Sequence, residues 1–229
     1  MLKRKILSYS LYILCLIILL VIIIIDVFSA VGILTAAKLI FSAFVFILVF
    51  AAAIINISCL QSREDKIKAV KFSLWILFVF YSVNLAMLLF FDMTYGRQAI
   101  HNFSSDISYR AYLRTNTNFI PFKGIIDYFG NIGKNYFGNF VVNILGNLAA
   151  FAPMGFFIPA LFTKINSLKK FALIIISTVI FVELTQFITK TGICDIDDVI
   201  LNSTGALIIY FILQTKFIKS ILNKIYIIY

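Results

Sequence analysis

The chain has 229 residues, 62% of them hydrophobic and 13% charged, and it carries a net charge of +10. An ordinary soluble domain is about 25% charged, so this composition, with a mean hydropathy of +1.03, excludes one and implies a polytopic membrane protein. The basic residues flank apolar runs, as topology determinants do, and this argues against a nucleic-acid partner.

Lipid admits only helical bundles or closed barrels. The apolar runs are continuous, with no alternation of period two, and so select helices. Met1-Leu2-Lys3-Arg4-Lys5 ahead of an apolar run has the layout of a signal peptide. The run over 6–25 is too long for an h-region and lacks a clear cleavage site, so it reads as a retained signal anchor. The first helix is expected over 6–27, a turn at Asp26, Ser29 and Gly32, and a second helix over 34–57 with Lys38 snorkelling near its start. A polar loop over 58–71 follows, then a third helix over 72–91 with Trp75 at the interface.

The segment 92–137 is the longest polar stretch and holds the lone histidine, His101, to which no role is assigned. Its glycines and its aromatics, among them Tyr112, Phe119 and Phe122, point to short amphipathic helices resting on the membrane interface. A fourth helix is expected over 139–162, with Pro153 and Pro159 inside it, and a fifth over 171–189. An acidic turn over 190–198 leads to a sixth over 199–213 and a tail with Lys216, Lys219 and Lys224. The expected architecture is all-α: a bundle of about six spanning helices in the cell membrane, with N and C termini cytoplasmic because Lys and Arg gather in alternate loops. Three parts follow, 1–71 as an N-terminal hairpin and cytoplasmic loop, 72–215 as the main transmembrane domain, and 216–229 as a basic cytoplasmic tail. Cys15, Cys59 and Cys194 have no metal-ligand spacing and imply no disulfide framework. No cofactor or metal is expected.

Three polar clusters interrupt the last helices: Asn139, Asn143 and Asn147; Glu183 with Gln186; and Asp195, Asp197, Asp198 and Asn202. Spacings of four keep the asparagines on one helical face. The expected topology puts all three clusters in the outer half of the membrane, at one depth. Gly146, Gly155 and Gly205 are small positions that let helices approach. The ordinary explanation is bundle glue, since amides bond across membrane helices for about 0.6 kcal/mol. The three aspartates also suit a solvated acidic turn or a cap for the sixth helix, a place at its start that fits Asp197 or Asp198. Glu183 is harder to explain so, because an intramembrane acid is by default a functional candidate. The candidate ligand-binding set is therefore Asn143, Asn147, Glu183, Gln186, Asp195, Asp198 and Asn202. If chemistry occurs, Glu183 is the candidate acid or base and Asp195 or Asp198 its ionised partner.

Asn143-Ile144-Leu145-Gly146-Asn147, followed by Phe151-Ala152-Pro153-Met154-Gly155, resembles the pattern of VanZ-like membrane proteins. Glu183-Leu184-Thr185-Gln186 is similar to the acid-x-x-Gln element of that family. The run from Asp195 through Asp197, Asp198 and Asn202 to Gly205 is similar to its last motif, and Asn118 to Phe122 to the segment before them. The family often has an arginine before the aspartates, where this chain offers Lys190, which is not an equivalent donor. The resemblance implies a bacterial envelope protein linked to resistance to teicoplanin, a glycopeptide acting outside the cell membrane. Two functions are compatible: an accessory or binding protein for a lipid-linked envelope precursor or glycolipid headgroup, or a membrane-embedded enzyme acting on such a precursor. A transporter fits less well, because no inverted repeat is visible and the polar residues stop halfway. Membrane lipids are the expected surroundings.

Overall fold

The computed structural model describes residues 2–28, 35–92, 108–130 and 137–227. The turn at Ser29 and Gly32 and the position of His101 lie outside the described residues, as does the side chain of Asn139. Six helices are long and apolar enough to cross a membrane: Leu2–Ile25, Ile40–Ser58, Arg63–Phe90, Asn143–Leu161, Leu168–Ile188 and Ile196–Gln214. Their outer surfaces are apolar; Leu173 and Phe181, for example, are each 69% exposed. Surface of this kind is stable only against lipid. The protein is a helical, multi-pass membrane protein.

The chain divides into two compact units, Met1–Gly96 with Ser220–Ile228, and Arg97–Lys219. In the first, α1 (Leu2–Phe28), α2 (Thr35–Ser58) and α3 (Arg63–Phe90) pack in sequence order. Their shared core is Tyr12, Cys15, Leu19, Val45, Val49, Ala52 and Phe80. Three hydroxyls are buried in it with partners, as lipid requires: Ser8 donates to the Ala52 carbonyl at 2.9 Å, and the Tyr12 and Ser73 hydroxyls meet at 2.7 Å.

The third helix starts at Arg63, earlier than the expected 72, because Ser62 caps it. The Ser62 hydroxyl accepts from the Asp65 amide at 3.0 Å and donates to the Asp65 carboxylate at 2.8 Å, a reciprocal arrangement that starts helices. Glu64 and Lys68 then pair at 2.8 Å along the solvated face. Much of the expected polar loop is thus the charged first turns of α3.

The second unit holds α4 (Tyr109–Thr115), β1 (Thr117–Asn118), α5 (Lys123–Gly130), α6 (Phe137–Phe151), α7 (Met154–Leu161), α8 (Leu168–Ile188), β2 (Cys194–Asp195) and α9 (Ile196–Gln214), and α10 (Lys216–Lys224) follows α9. The expected fourth helix is two pieces. Pro153 lacks the amide that would continue α6, so the chain turns at Ala152-Pro153 and restarts as α7. The turn carbonyls accept the first bonds of α7: Ala152 from Gly155 at 3.0 Å, and Pro153 from Phe156 and Phe157 at 3.0 Å each.

α9 is the central helix of this unit, packing on α6, α7 and α8. Two glycines set its distance from the others. A methyl group at Gly205 would overlap the Leu148 carbonyl of α6, and one at Gly155 the Ala206 carbonyl of α9. Gly146, expected to share this role, meets nothing within 4 Å among the described residues. Below the glycines, Phe171 and Tyr210 stack at 4.4 Å, and Ile175, Val179 and Ala206 are fully buried.

Gly205→Ala is expected to destabilise the detergent-solubilised protein by about 1–3 kcal/mol, the range for overpacking. Gly146→Ala should change it by less than about 1 kcal/mol. Thermal melts followed by intrinsic fluorescence distinguish the two outcomes.

Candidate functional site

The polar residues of the second unit gather where α9 begins. Two residues of parallel pairing, Thr117 with Cys194 and Asn118 with Asp195, bring the stretch after α4 against the stretch before α9. The Cys194 amide adds a bond to the Asn116 carbonyl at 3.0 Å, and Tyr112 donates its hydroxyl to the Gly192 carbonyl. So short a pairing is held by the side chains around it.

Each of the three aspartates has a different partner. Asp195 caps α9: one carboxylate oxygen accepts from the Asp197 amide at 2.8 Å and from the Asn118 side-chain amide at 2.8 Å. Asp197 turns instead to α5. That helix is preceded by Phe122, which sits in the left-handed region with φ of 65° and has no oxygen with which to cap. The Asp197 carboxylate supplies one from outside, accepting from the amides of Phe122, of Gly124 at 2.8 Å and of Ile125 at 3.3 Å. These are donors that a helix leaves unpaired in its first turn. A methyl on Gly124 would lie 3.1 Å from the same carboxylate, so a larger residue there crowds the bond. Asp197 also lies in the first turn of α9, so two positive helix ends meet at one carboxylate. Asp198 reaches α6, where it accepts from the side-chain amide of Asn147, which also donates to Asn143 at 3.1 Å.

The acid of α8 joins the same corner. Glu183 is 4% exposed, and its carboxylate accepts from the Asp195 backbone amide at 3.4 Å. Gln186, also buried, lies one turn further along α8. A methyl at Gly192 would come within 3.3 Å of its carboxamide carbon. Lys190 ends α8 in the left-handed region with φ of 55°, the position that glycine usually takes. Two bonds close that end, Lys190 amide to Phe187 carbonyl at 3.2 Å and Thr191 amide to Gln186 carbonyl at 2.9 Å. The Lys190 side chain is buried, and a cation there suits a helix C-terminus.

The structure thus links Asn143, Asn147 and Asp198 in one chain of hydrogen bonds, and Glu183 to Asp195 through a backbone amide. Asn202 lies a turn beyond Asp198, and its side-chain amide donates to the Asp198 carbonyl at 2.8 Å. Its carboxamide oxygen is buried with no partner among the described residues, and so is the hydroxyl of the adjacent Ser203. Sequence reasoning did not single out Ser203, Tyr112 or Asn118 as site residues. Asn118 was visible only as part of a motif, because its partner lies 77 residues away. Asp197 was legible as a cap, but for the wrong helix. No group of three His, Cys, Asp or Glu placed to hold a metal ion occurs among the described residues.

Burial dominates the electrostatics of Asp195 and raises its pKa from the ordinary 3.8, with the nearby Asp197 charge adding to the rise. The Asp197 amide, the Asn118 side chain and Lys123 act in the opposite direction. The Cys194 thiol is likewise pushed up by burial and by the Glu183 and Asp195 charges, so it is no ready thiolate.

A family model described as VanZ/LLP1 matches residues 78–219. No curated protein and no solved structure gives a match.

Asp197→Ala is expected to cost about 1–3 kcal/mol of stability, with hydrogen-exchange protection lost first at the amides of Phe122, Gly124 and Ile125. The raised pKa of Asp195 means that the folded chain binds a proton more readily than the unfolded one. Stability from this group is therefore present at and below pH 3.8 and is lost as pH rises through the higher folded value. Asp195→Asn, which keeps a capping oxygen, should remove that part of the pH dependence in melts recorded upward from about pH 4.

Proposed function

This chain belongs to the VanZ/LLP1 family of membrane proteins, and we propose that it is an accessory or binding protein of the bacterial envelope. Its polar corner holds the headgroup of a lipid-linked envelope precursor or glycolipid. The observation that carries this reading is the unpartnered pair on α9, the Asn202 carboxamide oxygen and the Ser203 hydroxyl. A buried acceptor without a donor costs about 1–3 kcal/mol, and hydrocarbon offers it no water. A ligand rich in hydroxyl or ammonium donors relieves that cost. Sugar headgroups carry such donors, and so does a lipoglycopeptide of the teicoplanin type, to which the family is linked.

The neighbouring groups suit the same ligand. Asn143 and Asn147 offer both donors and acceptors close to Asp198. Glu183 and Gln186 supply a carboxylate and an amide at the end of α8. The three aspartates already accept bonds that hold helix ends and helix pairs together, which supports recognition over chemistry. The charge pattern of the loops supports an outer-leaflet position, with both termini in the cytoplasm. Teicoplanin acts on that side.

A second reading, a membrane-embedded enzyme acting on a lipid-linked precursor, is favoured by one observation: Glu183 bonds the backbone of Asp195, whose carboxyl burial holds in its proton-binding form to higher pH. On that reading Glu183→Gln abolishes turnover of a radiolabelled precursor by the purified protein while binding persists.

Binding to a lipid-linked glycan precursor and to teicoplanin is measured with the full chain in nanodiscs. Asn202→Leu, which removes the unpartnered oxygen, is expected to weaken binding about tenfold. The double variant Glu183→Gln, Asp198→Asn should weaken it further. Equal affinity of wild type and the double variant refutes the proposal.

A further inference from the structure

The first unit contains a cavity of about 620 Å³ between the C-terminal half of α2, the N-terminal half of α3 and the turn that ends α10. Its walls are apolar, with Phe46, Phe50, Ala53, Leu74, Leu77 and Ile225 among them. The one serine in the wall, Ser73, is already bonded to the Tyr12 hydroxyl at 2.7 Å and to the Ala69 carbonyl at 3.0 Å. Nothing inside therefore selects a polar ligand. The volume is that of a small-molecule site, and apolar walls flanked by spanning helices suit a hydrocarbon chain.

One end of this cavity is different. Lys224 lines it, and Lys66 stands 5.4 Å from the centre of the Tyr226 ring, which lines it too. The other charged groups of this end are engaged elsewhere: Arg63 donates to the Asn223 side chain at 2.6 Å, Glu64 pairs with Lys68, and Asp65 bonds Ser62. Among the described residues, no ion pair involves Lys66 or Lys224. The turn that carries Lys224 is itself fixed. Tyr226 takes a φ of 65°, an uncommon conformation for a bulky residue at a seat where helices usually place glycine. The Tyr226 amide bonds the Asn223 carbonyl at 3.3 Å, and the Ile227 amide the Leu222 carbonyl at 2.9 Å. These bonds set Ile225 and Tyr226 as cavity wall, with Lys224 beside them.

We propose that this cavity binds an anionic phospholipid, with one acyl chain between α2 and α3 and the phosphate between Lys66 and Lys224. A second copy of this chain is the poorer occupant, because the chain carries a net charge of +10 and like charges would meet at the mouth. A zwitterionic lipid offers the same acyl chain without the net charge that two unpaired lysines select.

The test is native mass spectrometry of the full chain in detergent, titrated with phosphatidylglycerol and phosphatidylcholine of identical acyl composition. One phosphatidylglycerol per chain should be retained in preference to phosphatidylcholine. Lys66→Gln and Lys224→Gln should each weaken that retention about fivefold and leave phosphatidylcholine unchanged. Ala53→Trp, which fills the cavity, should abolish retention of both. The two lysine variants keep most of the side-chain length of an exposed Lys224 and a half-buried Lys66 and remove the charge, so the test stays decisive if the tryptophan variant does not fold. Equal retention of the two lipids, undiminished retention in the double lysine variant, or a lipid-free dimer overturns the proposal.

Discussion

A single carboxylate holds together the polar end of the second unit. The segment between β1 and α5 is irregular, and its amides have no ladder to join. The first amides of α5 likewise lack partners within their own helix. Phe122, standing where a capping side chain is needed, cannot satisfy them. Asp197 does it from another helix, binding the amides of Phe122, Gly124 and Ile125 while lying in the first turn of α9. The position of α5 relative to α9, and with it the pairing of Asn118 with Asp195, depends on this contact.

The opposite constraint operates deeper in the unit, where the helices carry few polar groups and distance is set by what is missing. Gly205 against the Leu148 carbonyl and Gly155 against the Ala206 carbonyl bring α6 and α7 onto α9. Without a hydrophobic force between helices in lipid, contact area and interhelical hydrogen bonds drive association. The close approach allows the side-chain amide of Asn147 to reach Asp198. Packing and polar bonding are therefore one device: the glycines shorten the gap, and the amide and carboxylate fill its upper end.

Once these roles are assigned, the polar residues are no longer equivalent. Asp195, Asp197 and Asp198 accept bonds that the fold requires. Glu183 touches the backbone of Asp195 from α8. The Asn202 oxygen and the Ser203 hydroxyl stand apart as buried groups not used by the described fold. Groups that serve structure and groups that do not lie within about two turns at the start of α9, and that division is what supports the proposed recognition of a donor-rich headgroup.

Hydropathy by itself determined the class and the six spans, since lipid forces helices wherever apolar runs are long enough. Two boundaries differ from the expected ones although their signals are local: Pro153 ends α6 where one continuous helix over 139–162 was expected, and Ser62 starts α3 nine residues before the expected 72. A breaker or a cap competes with the apolar pattern that hydropathy follows. The polar clusters and the family pattern were legible. Their pairing was not, because the partners are far apart in the chain: Asn118 and Asp195 by 77 residues, Gly124 and Asp197 by 73, Asn147 and Asp198 by 51. Sequence placed an aspartate at a helix start, and only the tertiary structure showed that Asp195 caps its own helix while Asp197 caps another. Likewise, three glycines looked alike in sequence, and only the helix faces separated Gly155 and Gly205 from Gly146. Residue type declares which bonds a side chain can make; which ones it makes is decided by the neighbours that folding brings within reach.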